Sequence, residues 1–304
     1  MRLADISWPS GRERAAECIP GPTERTFGYS LNAGEPAFFC VPGSGIHSPQ
    51  KGAAMRTPEQ VYETIHRFAE TRDTIRMIGE EGSRVNKYIP PDPYQDYDIT
   101  FFCDDPDGLI QTADAWLGAF GTILMLQTPE DMELFPAEEK GFSFLMVYDD
   151  GNKIDLTLRH ESELAEYLTD DRLTRIRLDK DGRAPQVEPT DEAYRLVRPT
   201  ARGFDDCCNE FWFVVPYVAK GLYRNELLFA IDHLQILRNE LRRMIAWQAG
   251  IDHGFDLRLG KNHKFLQDYV SEETWRRLLE TFDTGSYQDT WLGFFRVQSL
   301  FAEI

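Results

Sequence analysis

Three short stretches of this chain carry residues whose types and spacing suit one kind of chemistry. Gly82-Ser83 closes an apolar run, Asp96-Tyr97-Asp98 opens another, and Asp155 sits between Ile154 and Leu156. In an extended strand residues i and i+2 point to one face, so Asp96 and Asp98 project together and Asp155 can join them from a neighbouring strand. Two carboxylates about 4 Å apart repel by roughly 4 kcal/mol at an effective dielectric of 20, so such a cluster calls for a cation. Oxygen-only ligands suit Mg²⁺, which keeps waters and completes its shell with substrate phosphates. Two Mg²⁺ ions there would stabilise both the attacking and the leaving oxygen of an in-line displacement at phosphorus. Gly82 lets backbone approach a phosphate closely, and Ser83 adds an amide and a hydroxyl donor. Taken singly the stretches are ordinary: Gly-Ser is common in turns, and Asp-x-Asp is more often a solvated strand edge. In this order and spacing they match the nucleotidyltransferase pattern of hydrophobic-Gly-Ser, Asp-x-Asp and hydrophobic-Asp-hydrophobic.

Such a cluster needs strands to hold it, and the surrounding sequence supplies them. Thr57 and Pro58 open a helix whose apolar face is Val61, Ile65, Phe68 and Ala69. Ile75 to Ile78 reads as a strand running into Glu81-Gly-Ser-Arg84, and Tyr97–Cys103 alternates as a second strand after a proline-rich loop. Residues 113–120 read as a short helix and 122–127 as a strand. Residues 142–148 and 153–159 read as two strands joined by Asp149-Asp-Gly-Asn152, a hairpin-turn composition. A helix before a strand, then paired antiparallel strands, indicates a mixed sheet of α+β type. From about residue 191 the pattern turns helical. It is clearest over 226–249, where Leu227, Leu228, Ile231, Leu234, Ile236, Leu237, Leu241, Met244, Ile245 and Trp247 make a broad apolar face; 272–280 and 287–301 follow suit. The expected organisation is a nucleotidyltransferase-type mixed-sheet domain over 55–185 and a C-terminal helical bundle over 186–304, cut short after Ile304. Residues 1–54 are expected to form a poorly ordered extension: they hold 6 of the 17 prolines and no sustained periodicity.

Bulk properties narrow the function. The formal charge is −18, all of it in residues 55–304, because the first 54 residues hold 5 Lys/Arg against 5 Asp/Glu. That balance argues against a nucleic-acid partner, whose binding relies on clustered Lys and Arg, and favours a cationic ligand. Acidic surfaces also serve plain solubility. No run approaches the length of a membrane span. Five cysteines, two of them adjacent at Cys207 and Cys208, form neither an even disulfide framework nor a zinc pattern, which fits reduced thiols in a cytoplasm.

At Glu81-Gly-Ser-Arg-Val-Asn86, Gln95-Asp-Tyr-Asp-Ile-Thr100, Pro129-Glu-Asp-Met-Glu-Leu-Phe-Pro136, Lys153-Ile-Asp-Leu-Thr-Leu158 and Asp205-Asp-Cys-Cys-Asn-Glu-Phe-Trp212 the sequence resembles the aminoglycoside 6-adenylyltransferases, the streptomycin adenylyltransferases. The resemblance runs from Met55 to the C-terminus. It implies transfer of AMP from ATP to the streptomycin 6-hydroxyl with release of pyrophosphate. Carried over by position, Asp96 and Asp98 would hold the metals, and Asp155 would share a metal and accept the hydroxyl proton. Gly82, Ser83 and Arg84 would meet the triphosphate, and Lys153 would steady it. Alternative readings are transfer to another aminoglycoside or to a protein hydroxyl, and nucleotide binding without catalysis.

Four further acids are candidates for the aminoglycoside. Asp205, Asp206 and Glu210 carry charge near a helix start, with Asp206 and Glu210 on one face, and carboxylates pair well with guanidinium groups. Glu133 lies in an acidic loop. The alternative for all four is a solvated acidic surface. The partners expected are ATP and a cationic aminoglycoside, with the chain acting as a monomer or homodimer.

Overall fold

A computed structural model describes residues 54–136 and 140–304. The extension expected over 1–54 lies, apart from Ala54, outside the described residues.

The chain mixes helices and strands as far as residue 179 and is helical from Ala201 onward. Helix α1 (Pro58–Glu70) starts at the expected cap: the Thr57 hydroxyl accepts from Gln60 N–H, and the Gln60 side chain returns a bond to Thr57 N–H. Six strands follow: β1 (Ile75–Glu81), β2 (Tyr97–Cys103), β3 (Ile123–Gln127), β4 (Phe142–Tyr148), β5 (Lys153–His160) and β6 (Thr174–Asp179). They form one mixed sheet in the order β3-β4-β5-β2-β1-β6, with β2 and β5 parallel and every other pair antiparallel.

The two faces of the sheet differ because side chains alternate along each strand. Tyr97, Ile99 and Phe101 of β2 and Ile154, Leu156 and Leu158 of β5 are buried with Val61, Ile65 and Phe68 of α1. Each such side chain removed from water contributes about 1.5–3 kcal/mol. The opposite face carries Asp98, Thr100 and Phe102 on β2 and Asp155 and Thr157 on β5. At one end of that face Phe102 and Met77 pack against Tyr167 of a helix over Leu164–Asp170. The other end, where Asp98 and Asp155 lie, holds polar groups.

Residues 113–120, expected as one helix, are two short 3₁₀ turns preceded by a helix at Pro106–Gln111; the helices over 106–111 and 164–170 are α2 and α3. Glycines at 118 and 121 and the break at Trp116 prevent a continuous α-helical ladder here.

The helical part contains α4 (Ala201–Tyr223), α5 (Leu227–His253), α6 (Glu272–Leu279) and α7 (Tyr287–Glu303). Their shared core includes Phe211, Val218, Leu234, Leu237, Leu241, Ile245, Val297 and Leu300. Leu228, expected on the buried face of α5, is 78% exposed. The fully buried Ala230, Leu234 and Leu237 lie on the opposite side of the helix by its turn of about 100° per residue, so Leu228 faces away from the core. Arg238, only 3% exposed, is kept in this core because its Nε donates to the Thr281 carbonyl at 2.9 Å. No helix of the described residues is long and apolar enough to cross a membrane.

Candidate active site

Register brings the carboxylates together. On the parallel pair, Asp98 of β2 is the direct partner of Asp155 of β5, and on the antiparallel side Asp98 is the partner of Glu81 of β1. Asp96 stands two residues before Asp98 on the same strand edge. Lys153 Nζ joins them, 2.8 Å from Asp96 Oδ2 and 2.6 Å from Asp155 Oδ2. The β4–β5 turn that sets the start of β5 is itself anchored: Asp150 Oδ2 accepts from Arg56 Nε at 2.5 Å, and its Oδ1 accepts from Asn152 N–H at 3.1 Å.

Charge crowding shows in the titration of the group at the centre. Burial, then Asp155, Asp96 and Glu81, push the Asp98 carboxyl up to about 7. Asp155 is raised as well, by burial, although Lys153 pulls it down. For Lys153 burial opposes the ammonium, but the bonds to Asp155 and Asp96 more than offset it and hold the pKa above the ordinary lysine value.

Gly82 is fitted to this cluster. It has φ +75°, a left-handed conformation that favours glycine, and a Cβ built on it would fall 2.3 Å from Asp98 Oδ2. Its N–H donates to the Leu173 carbonyl at 3.3 Å, which leaves Ser83 as the residue of that turn with donors to offer a phosphate.

Arg84, expected to meet the triphosphate, has its guanidinium engaged elsewhere. Nε donates to the carbonyls of Asp96 (2.9 Å) and Gln95 (3.2 Å), and the group stacks 3.7 Å over the Tyr97 ring. It fixes the backbone that presents Asp96. None of the candidate aminoglycoside acids makes a hydrogen bond or ion pair with Asp96, Asp98, Asp155 or Lys153 among the described residues. Asp205, Asp206 and Glu210 are exposed on α4, with Asp206 within 3.8 Å of Arg202, and Glu133 is exposed in the loop after β3. Cys103 and Cys207 are buried free thiols, and Cys208 is a half-buried one.

The donor set fits a hard divalent cation. All the candidate ligands are carboxylate oxygens, and Asp155 Oδ1 is buried with no hydrogen-bond partner. As the side chains stand, no trio of His, Cys, Asp or Glu among the described residues is gathered closely enough to hold a metal ion, and the Lys153 ammonium bridges Asp96 and Asp155.

Residues 55–304 match the family model described as streptomycin adenylyltransferase. An aminoglycoside 6-adenylyltransferase of Campylobacter jejuni is 53% identical over 253 residues, covering 82% of this chain and 87% of its own. One from Bacillus subtilis (strain 168) is 45% identical over 251 residues, covering 81% and 88%. A crystal structure of an aminoglycoside 6-adenyltransferase from Bacillus subtilis is 40% identical, covers 82% of this chain and 89% of its own, and superposes with a TM-score of 0.37.

Proposed function

The chain belongs to the streptomycin adenylyltransferase family, and from that premise we propose that it transfers AMP from ATP to the 6-hydroxyl of streptomycin, releasing pyrophosphate. The observation that carries this is the register pairing of Asp98 with Asp155 beside the Gly82 turn, with Lys153 bridging Asp155 and Asp96.

In this reading the acceptor oxygen attacks the α-phosphorus of ATP, the new P–O bond forms as the bond to the β-phosphate bridging oxygen breaks, and pyrophosphate departs. Asp155 takes the hydroxyl proton; its raised pKa makes it a better base than an exposed aspartate. Lys153 steadies the phosphates, and Ser83 donates to them from the turn. Gly82 contributes by having no side chain, which keeps Asp98 and the phosphate path clear. Arg84 keeps Asp96 in place through the backbone carbonyls it holds. Asp96, Asp98 and Asp155 would hold Mg²⁺, which when bound neutralises the triphosphate and polarises the α-phosphoryl group. Transfer of this kind is mostly positioning and charge stabilisation, and the site has the groups for both.

Pyrophosphate release measured with streptomycin, kanamycin, spectinomycin and no acceptor tests the assignment. Release that needs ATP, Mg²⁺ and streptomycin together is expected. Release with kanamycin alone would reassign the acceptor, and none with any of the three would overturn the function.

A further inference from the structure

Asp98 has two unlike flanks. On the β5 side stands the Lys153 ammonium. On the β1 side stands Glu81, followed by Gly82, whose N–H reaches Leu173. That contact brings in the turn after α3. Asp171 Oδ1 accepts from Leu173 N–H at 2.8 Å, and its Oδ2 accepts from the Tyr194 hydroxyl. Two further contacts tie the turn to the segment carrying Tyr194: Thr190 N–H donates to the Arg172 carbonyl at 3.0 Å, and Arg172 lies 3.5 Å from Glu192. Glu81 and Asp171 draw their hydrogen bonds from neutral donors, the Thr100 hydroxyl for the first and an amide and a phenol for the second, so neither has a fixed cationic partner among the described residues. The Tyr167 hydroxyl, on a residue 2% exposed, faces Glu81 and has no hydrogen-bond partner satisfied. Tyr194 in contrast is 43% exposed, its ring open at the edge of the cluster. Burial, the bond to Asp171, and the charges of Asp171, Glu81 and Asp98 all raise its phenol, which places it in the field of the same acids.

We propose that Asp171 and Tyr194 hold a cationic group of the acceptor, a guanidinium or ammonium, on the β1 side of Asp98 while the triphosphate lies over Lys153. The polarity follows from charge: a phosphate is repelled by Glu81 and Asp171 and drawn to Lys153, and a guanidinium has the opposite preference. A guanidinium pairs with a carboxylate through charge-assisted hydrogen bonds and stacks on an aromatic face, and here the two are joined by their own hydrogen bond. The inference rests on the proposed transfer to a cationic aminoglycoside and adds the residues that orient it.

Steady-state kinetics of the full chain with Asp171→Asn, Tyr194→Phe and Tyr194→Ala tests it, with KM measured separately for streptomycin and ATP. Loss of a charge-assisted bond predicts a rise of about tenfold or more in the streptomycin KM of Asp171→Asn, with the ATP KM within about twofold of wild type. Tyr194→Ala should resemble it, and Tyr194→Phe, which keeps the ring, should fall between. An unchanged streptomycin KM in Asp171→Asn, or both KM values rising together, overturns the proposal. A wild-type enzyme without streptomycin-dependent turnover would instead remove the function on which it rests.

Discussion

Asp98 and Asp155 face each other as register partners on parallel strands, and Lys153, two residues before Asp155, reaches back to Asp155 and on to Asp96. The parallel pairing matters because it sets both aspartates at the same end of the sheet, where the Gly82 turn also lies. The consequences are measurable.

Asp98 is the crowded member. With its folded pKa near 7 against an ordinary value of 3.8, the folded state binds more protons than the unfolded one between those values, so stability falls as pH rises through that window. Asp98→Asn removes the effect. The variant should melt roughly 5 °C above metal-free wild type at pH 8, with no such gap at pH 4, in thermal scans without Mg²⁺. Adding Mg²⁺ to wild type should close the gap at pH 8.

The same crowding couples metal to protons. If Asp96, Asp98 and Asp155 take up Mg²⁺, the Asp98 proton must leave, so binding below about pH 7 should release a fraction of a proton. Calorimetry in buffers of different ionisation enthalpy reads this directly. Equal heats in all buffers at pH 6 would contradict it.

Gly82→Ala places a methyl 2.3 Å from Asp98 Oδ2 on a backbone with φ +75°. The strain is about 1–3 kcal/mol, and relieving it displaces Asp98. The expected outcome is a melting temperature lowered by several degrees and kcat down by about a hundredfold, larger than a strain of that size acting on stability alone would bring.

Lys153→Met removes the cation that lowers both Asp155 and Asp98. Both carboxyls then titrate higher, so the acid limb of the kcat/KM pH profile should move to higher pH, with a rise of about tenfold or more in the ATP KM. A profile that keeps its acid limb would show that Lys153 does not act on these groups.

Away from the site, Glu80 is fully buried beneath the sheet edge, with Tyr62, Arg175 and Arg177 (2.8 Å from its Oε2) donating to it. Burial pushes its carboxyl up, but these bonds outweigh that and leave it below the ordinary value. Glu80→Ala strands two arginines and should cost about 3–5 kcal/mol in denaturant unfolding, with kinetics at permissive temperature little changed.

Much of this was legible in the residues. Asp96, Asp98 and Asp155 stand out because a period of two fixes which side chains share a face, and because their order and spacing after Gly82-Ser83 match the nucleotidyltransferase pattern. The cap at Thr57 and the core face of α1 are equally plain, since both are local. What escaped was set by long-range contacts. Asp171 and Tyr194 lie in irregular segments more than twenty residues apart, and they meet beside Gly82 only through tertiary contacts: their own hydrogen bond, Thr190 N–H to the Arg172 carbonyl, and Gly82 N–H to the Leu173 carbonyl. The helix over 164–170 is seven residues long, too short for periodicity to separate from a turn. Strand β6, Thr174-Arg-Ile-Arg-Leu-Asp179, does alternate, but its arginines pair with the buried Glu80, Arg177 half-buried and Arg175 still open to solvent, which the alternation alone does not tell. Arg84 follows the Gly-Ser pair as a phosphate-binding group would, and its stacking on Tyr97 depends on the fold of the 90–96 loop. The division at residue 185 also stays a proposal, since helix and strand content change there without fixing where an independently folding unit ends.

The most direct measurement of the central claim follows a label from ATP carrying ³²P at the α-phosphate. With Mg²⁺ and streptomycin, wild type should place the label on the antibiotic in a single turnover, and Asp155→Asn should slow that transfer at least about a thousandfold while still binding ATP. Transfer by Asp155→Asn at the wild-type rate, or label that never leaves ATP in the wild type, would contradict an active site built on the convergence of Asp96, Asp98 and Asp155.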